Sequence, residues 1–227
     1  KELGTDGVNY HIFRYEKGNP NLNPEESYQL DAGIHWGNDR LTIQFDPYLN
    51  YFPNYIYMNP TPNYYEGLQW YYYTQSRVIR CGFELQADWK ILPSLSAEFK
   101  GEYLYAEQLS GEKKGYTLPF STPWSADATL RYAFCRKNVG NEGFVAMNMH
   151  VTGRQNNIVP PEKPTPGYYT LNLTAGKDFA FGERTLRLSL NAENLLNRKY
   201  YDHTSFYRLI DVPEPGRNVA LMATFEF

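Results

Sequence analysis

The side chains suited to chemistry near neutral pH are few and scattered. The four histidines, His11, His35, His150 and His203, stand far apart and share no metal-ligand spacing. No Gly-x-Ser-x-Gly element presents a serine nucleophile. The two cysteines, Cys81 and Cys135, allow one disulfide at most. Without motif spacing they specify neither a metal nor a redox site, and Cys81 reads as a small apolar residue on an outward strand face. Neither a catalytic centre nor a cofactor is expected. What the sequence does offer is recognition chemistry. Tyr55, Tyr57, Tyr64, Tyr65 and Trp70 crowd a connection expected from Pro53 to about Gln69. Tyr201, His203, Phe206, Tyr207 and Arg208 crowd a second one, from Tyr200 to Pro215. Exposed aromatic faces beside an arginine can make ring and hydrogen-bond contacts, although single residues of this kind also serve as interfacial aromatics or solvated loop positions.

Elements that would hold such connections alternate with period two. From Tyr28 to Trp36, the residues Tyr28, Leu30, Ala32, Ile34 and Trp36 fall on one face and Gln29, Asp31, Gly33 and His35 on the other. After Gly37-Asn38-Asp39 the pattern resumes with Leu41, Ile43, Phe45 and Leu49 opposite Thr42, Gln44, Asp46 and Asn50, which predicts a hairpin. Further strands are expected at Trp70–Trp89, Leu95–Tyr105, Trp124–Phe134, Phe144–Gln155, Tyr168–Asp178, Arg184–Leu195 and Asn218–Phe227, nine in all. Short breaks follow the odd strands and long ones the even strands, with a longer Cys135 to Gly143 connection among the short ones. Such alternation is the mark of an up-and-down barrel with one rim of turns and one of loops.

Composition agrees with a membrane barrel. Aromatic residues make up 17% of the 227 residues, with 21 tyrosines, yet the mean hydropathy is −0.61. Strands that are apolar outside and polar inside average to this, and several aromatics, among them Trp36, Trp89, Tyr103, Tyr105 and Trp124, mark strand ends. A soluble β-sandwich would alternate as well but has no need of aromatics there. No stretch approaches the roughly 18 to 20 consecutive apolar residues of a membrane-spanning helix, and Lys1 opens a polar segment, so an export signal is expected upstream. A net charge of −3 with scattered Lys and Arg excludes a nucleic-acid partner.

Four segments carry a family resemblance. Gly18-Asn19-Pro20-Asn21-Leu22-Asn23-Pro24-Glu25 precedes a strand, and its two Asn-Pro steps hold the chain extended and turned. Arg80-Cys81-Gly82-Phe83-Glu84-Leu85 places Gly-x-Glu on an inward face, where a glycine marks a bend or a close approach. The third and most specific runs Asn191-Ala192-Glu193-Asn194-Leu195-Leu196-Asn197-Arg198-Lys199-Tyr200, and the fourth is Pro215-Gly216-Arg217 before a strand that alternates to Phe227. In this order they resemble the C-terminal half of the barrel of TonB-dependent outer-membrane receptors. Met222 and Glu226 depart from the pattern, standing where barrels more often carry Gly and a neutral residue.

The resemblance implies an all-β, antiparallel, up-and-down transmembrane barrel segment, about nine strands from the C-terminal portion of a 22-strand barrel, occupying 1–227 with the plug domain absent. It implies uptake, across the outer membrane of a Gram-negative bacterium, of a scarce ligand such as an iron–siderophore complex. The implied partners are outer-membrane lipid, the N-terminal plug and remaining barrel strands of the same receptor, and TonB acting through the missing plug. Ligand contacts would come from Tyr55, Tyr57, Tyr64, Tyr65, Trp70, Tyr201, His203, Tyr207 and Arg208. A passive outer-membrane pore and a small barrel enzyme are the alternatives.

Overall fold

The computed structural model describes residues 2–134 and 142–226, so Cys135 and Phe227 lie outside the described residues. Twelve strands form one sheet. They are β1 (Asp6–Asn9), β2 (Arg14–Lys17), β3 (Tyr28–Asp31), β4 (Ile34–Gly37), β5 (Leu41–Tyr65), β6 (Leu68–Leu92), β7 (Leu95–Gln108), β8 (Ser125–Phe134), β9 (Gly143–Thr152), β10 (Tyr168–Phe181), β11 (Arg184–Glu193) and β12 (Asn218–Glu226). From β5 to β12 each strand pairs antiparallel with the next.

The segment expected as one strand from Tyr28 to Trp36 is split into β3 and β4, yet both hold the same register on β5, with Asp31 opposite Tyr48 and Ile34 opposite Phe45. Pro47 explains the break. It accepts the Ala32 N–H at 3.1 Å but has no N–H to return, so the ladder lapses for one step. At the following turn, Asn38 Oδ1 accepts the amides of Arg40 and Leu41 at 2.8 and 3.0 Å.

The two faces of the sheet are chemically distinct. Trp36, Ile43, Ala87, Phe99, Ala128, Met149 and Leu171 are successive register partners across six ladders. One residue away, His35, Gln44, Gln86, Lys100, Asp127, His150 and Thr170 form a polar row of the opposite parity. Glu84 and Gln86 thus lie on the polar face, and Phe83 and Leu85 on the other, as the alternation requires. Trp36, Leu130, Tyr132, Met147 and Leu221 are exposed. The buried apolar side chains instead gather towards one end, among them Tyr71, Val78, Ala106, Leu118 and Val159. A sheet that leaves its apolar face open and packs only at one end is a wall, with its core at a rim.

Candidate ligand-facing rim

Short turns join β4 to β5, β6 to β7 and β10 to β11, while segments 109–124, 153–167 and 194–217 lie at the opposite rim. The expected loop from Pro53 to Gln69 is a correction. These residues continue β5 and β6 as a hairpin that turns at Glu66-Gly67, both at positive φ. Prolines argued for a loop, but they fall where β5 tolerates them, at register shifts between Phe52 and Tyr55 and between Pro60 and Tyr64. The freed amide of Ile56 donates to Glu25 Oε2 at 2.8 Å.

That extension needs support, and the Asn-Pro segment provides part of it. Asn23 N donates to Gln75 Oε1 at 2.7 Å and Gln75 Nε2 returns a bond to Asn23 O at 2.6 Å. On the other flank β2 pairs in parallel with β6, Arg14 opposite Gln69, beyond the point where β7 ends against Val78. Neither β1 nor β2 was legible in the sequence, because four-residue strands show too little alternation to count.

The rim segments meet in a buried polar knot. Arg14 Nε is 3.1 Å from Glu16 Oε1, and its guanidinium lies over the rings of Tyr71 and Phe206 at 5.0 and 5.2 Å. Phe120 packs edge-on to Phe206 with ring centroids 5.2 Å apart, and Arg208 stacks over Phe120 at 5.5 Å. Arg208 also donates to His203 O at 3.2 Å and to Lys163 O at 3.3 Å. Its charge partner Glu162 accepts the Phe120 amide at 3.0 Å. Burial pushes the Glu162 carboxyl up despite its backbone bonds and Arg208, and pushes the Arg208 guanidinium down. His203, 2% exposed, shares a 2.8 Å hydrogen bond between its Nδ1 and Thr165 Oγ1. Burial, helped by the Arg208 cation, lowers this imidazole to about 4, so it is neutral at ordinary pH.

Of the residues singled out from sequence, Tyr64, Tyr201 and Arg208 line a single cleft of about 550 Å³ together with Tyr71, Glu162, Lys163 and Asp211. Tyr201 donates to Asp211 Oδ1 at 2.9 Å. His203 sits behind this cleft, in the knot. Tyr65 and Trp70 flank Tyr15, their centroids 5.0 and 5.1 Å from its ring. Tyr207 is exposed beside Phe13. Tyr55 and Tyr57 pack against Val78, Ala106 and Leu118, away from the cleft. Arg14, Tyr15, Tyr71, Phe120 and Glu162 carry the rim without having been singled out. Tyr71 stands in a strand the sequence predicts, but the other four come from segments with no pattern of their own, and only their convergence marks them.

The other motifs are architectural. A side chain at Gly82 would meet the Tyr103 carbonyl oxygen and the Tyr48 hydroxyl. Asn194, at φ 47°, accepts the Arg198 amide at 2.9 Å and donates to Arg198 O at 2.9 Å. Asn197 Oδ1 accepts the Arg217 amide at 2.9 Å, joining the exit of β11 to the entry of β12. Cys81 is a free thiol on the apolar parity. Among the described residues no group of His, Cys, Asp and Glu could hold a metal ion.

Comparison with known proteins places this architecture. A copper transporter, OprC, superposes with a TM-score of 0.74 at 19% identity, over 88% of this chain and 32% of its own. BauA, the ferric preacinetobactin receptor of Acinetobacter baumannii, gives 0.69 at 13% identity, over 99% and 32%. The FrpB iron transporter of Neisseria meningitidis gives 0.65 at 15%, over 92% and 32%. The chain therefore spans about a third of the length of these proteins, and likeness at such identity concerns the fold. Sequence comparison reaches further: residues 3–195 match the family described as TonB dependent receptor-like, beta-barrel. The chain belongs to the family of TonB-dependent receptor β-barrels.

Proposed function

We propose that this chain forms part of the wall and of the ligand-facing rim of a TonB-dependent transporter in the outer membrane of a Gram-negative bacterium, without enzymatic activity. The carrying observation is the two-faced sheet whose loop rim is tied into one body. The apolar row from Trp36 to Leu171 meets lipid, the polar row from His35 to Thr170 faces the lumen, and the cleft at Tyr64, Tyr201 and Arg208 opens towards the cell exterior. A plug domain and the remaining strands of the same receptor complete the barrel, and TonB acts through the plug. The ligand class is a ferric siderophore complex, whose aromatic or chelate surface the rim tyrosines suit.

Orientation is tested by cysteine labelling in intact cells, in a background of Cys81→Ala and Cys135→Ala. A membrane-impermeant maleimide labels Lys113→Cys in the loop rim and spares Asn38→Cys at a turn. Labelling of the turn and not the loop overturns the assignment. The ligand class is tested by radioiron uptake from catecholate, hydroxamate and mixed-ligand siderophores in turn. Uptake of none of them above a strain lacking the receptor overturns it.

A further inference from the structure

Two cations stand over the apolar face of β10, one at each end of its apolar run. Tyr169, Leu171, Leu173, Ala175 and Lys177 share the parity of the row that joins Met149 to Leu171. At the turn end, Lys177 lies opposite Gly143, which lies opposite Phe134. A side chain at Gly143 would run into the Phe134 ring, so that ring lies across the glycine and beside the lysine. The Lys177 ammonium stands 5.8 Å from the Phe134 centroid and 5.2 Å from that of Phe179. At the loop end, the Arg198 guanidinium covers the Tyr169 ring at 3.9 Å. Asn194 fixes that arginine's backbone through its amide and its carbonyl oxygen, both at 2.9 Å.

The lumenal cations are matched differently. Lys100 pairs with Glu98 and Arg187 with Asp178, carboxylates of the polar parity. Among the described residues neither Lys177 nor Arg198 has an ion pair. Residues 135–141, outside the described ones, contain no Asp or Glu. A ring attracts a cation through its negative face but brings no charge to neutralise it. A guanidinium stacked on a ring also keeps its N–H groups directed outward in its own plane. Both positions therefore hold a charge and hydrogen-bond donors for which the chain supplies no anion.

We propose that Lys177 and Arg198 are binding sites for the phosphate groups of membrane lipids, one at each interface of the wall. The inference rests on the reading of this face as lipid-facing. Lys177 follows Tyr169 by eight positions, about 26 Å along a strand, close to the apolar band of about 25 Å in such barrels. The rings hold each cation at headgroup height, and acyl chains cover Leu171, Leu173 and Ala175 between them. A phosphate accepts several N–H bonds at once and carries the missing negative charge, so one contact satisfies both needs. A neutral headgroup offers only the hydrogen bonds.

The test is lipid binding by the purified receptor that carries this chain, read by native mass spectrometry in detergent. The probes are phosphatidylglycerol, a phosphate-free galactolipid with the same acyl chains, and inorganic phosphate. Lys177→Met and Arg198→Met are each expected to weaken phosphatidylglycerol binding about fivefold and to leave the galactolipid unchanged. Lys177→Arg and Arg198→Lys, which keep the charge, retain binding. Glutamine replaces methionine at either position where the methionine variant fails to assemble. Phosphatidylglycerol binding unchanged at both positions overturns the sites, as does an equal loss of galactolipid or displacement of the lipid by inorganic phosphate. The wall is checked separately by a spin label on Leu130→Cys, in a background of Cys81→Ala and Cys135→Ala, in bilayers. A label relaxed by oxygen and not by a water-soluble nickel chelate confirms a lipid-facing wall, and unchanged phosphatidylglycerol binding then overturns the headgroup sites alone. A label relaxed by the chelate overturns the wall, and the sites with it.

Discussion

Nη2 of Arg208 stands 3.7 Å from Oε1 of Glu162, with the two side chains 11% and 2% exposed. Both groups are pushed towards neutrality by burial, so desolvation dominates their mutual attraction. Such a pair contributes little net stability, but losing one partner strands the other. Arg208→Met is expected to destabilise the rim by about 3 kcal/mol, and Arg208→Met with Glu162→Leu to recover most of that loss. Exchange protection of residues 194–217 in the two variants checks this. Additive losses would show that the groups act independently.

Gly82 and Gly101 both lie in the wall, yet only one has room. A methyl group at Gly82 would meet the Tyr103 backbone carbonyl and the Tyr48 ring, whereas at Gly101 nothing comes closer than the 3.4 Å of the Phe99 ring. Gly82→Ala is expected to cost about 1 to 3 kcal/mol and to reduce the folded fraction on a heat-modifiability gel. Gly101→Ala is expected to leave that fraction unchanged.

The faces of β6 can be told apart by charge. Leu85 has the apolar parity and Arg80 the lumenal one. Leu85→Arg is expected to cost about 2 to 4 kcal/mol if placed near the bilayer midplane, and Arg80→Leu much less. Equal loss of assembly in both variants would contradict a membrane wall.

His203 gives the rim a pH dependence of its own. Its folded value of about 4 lies below the ordinary 6.5, so the opened loop binds the extra proton. Stability from this site is complete above about pH 6.5, falls as pH drops towards 4, and levels off below, with a slope of at most about 1.4 kcal/mol per pH unit. His203→Gln is expected to abolish that slope in loop opening measured by amide exchange across the same range. A slope unchanged in the variant would assign it elsewhere.

Strand parity was legible in the sequence because a one-residue slip would carry Phe83 to the lumen and Glu84 to the apolar side; the hydrophobic pattern alone fixes that choice. The meander followed from it, since turns such as Gly37-Asn38-Asp39 leave adjacent strands little option but to pair. The motif Asn194 to Tyr200 was recognisable because a positive φ at Asn194 and Asn197 restricts the residue types allowed there. Three things were decided only in the tertiary structure. Pro53 and Pro60 forbid ladder bonds locally, but whether a strand survives them depends on bulges and on a partner such as Glu25 for the amides set free, and sequence spacing does not reveal that partner. The parallel pairing of Arg14–Lys17 with β6 joins residues more than fifty positions apart, with no local pattern to announce it. The rim itself, where Tyr64, Glu162, Tyr201 and Arg208 share one cleft, arises from three segments folding onto one another. Periodicity governs the direction in which a strand residue points, whereas contacts between loops depend on distance in space, which one-dimensional spacing does not encode.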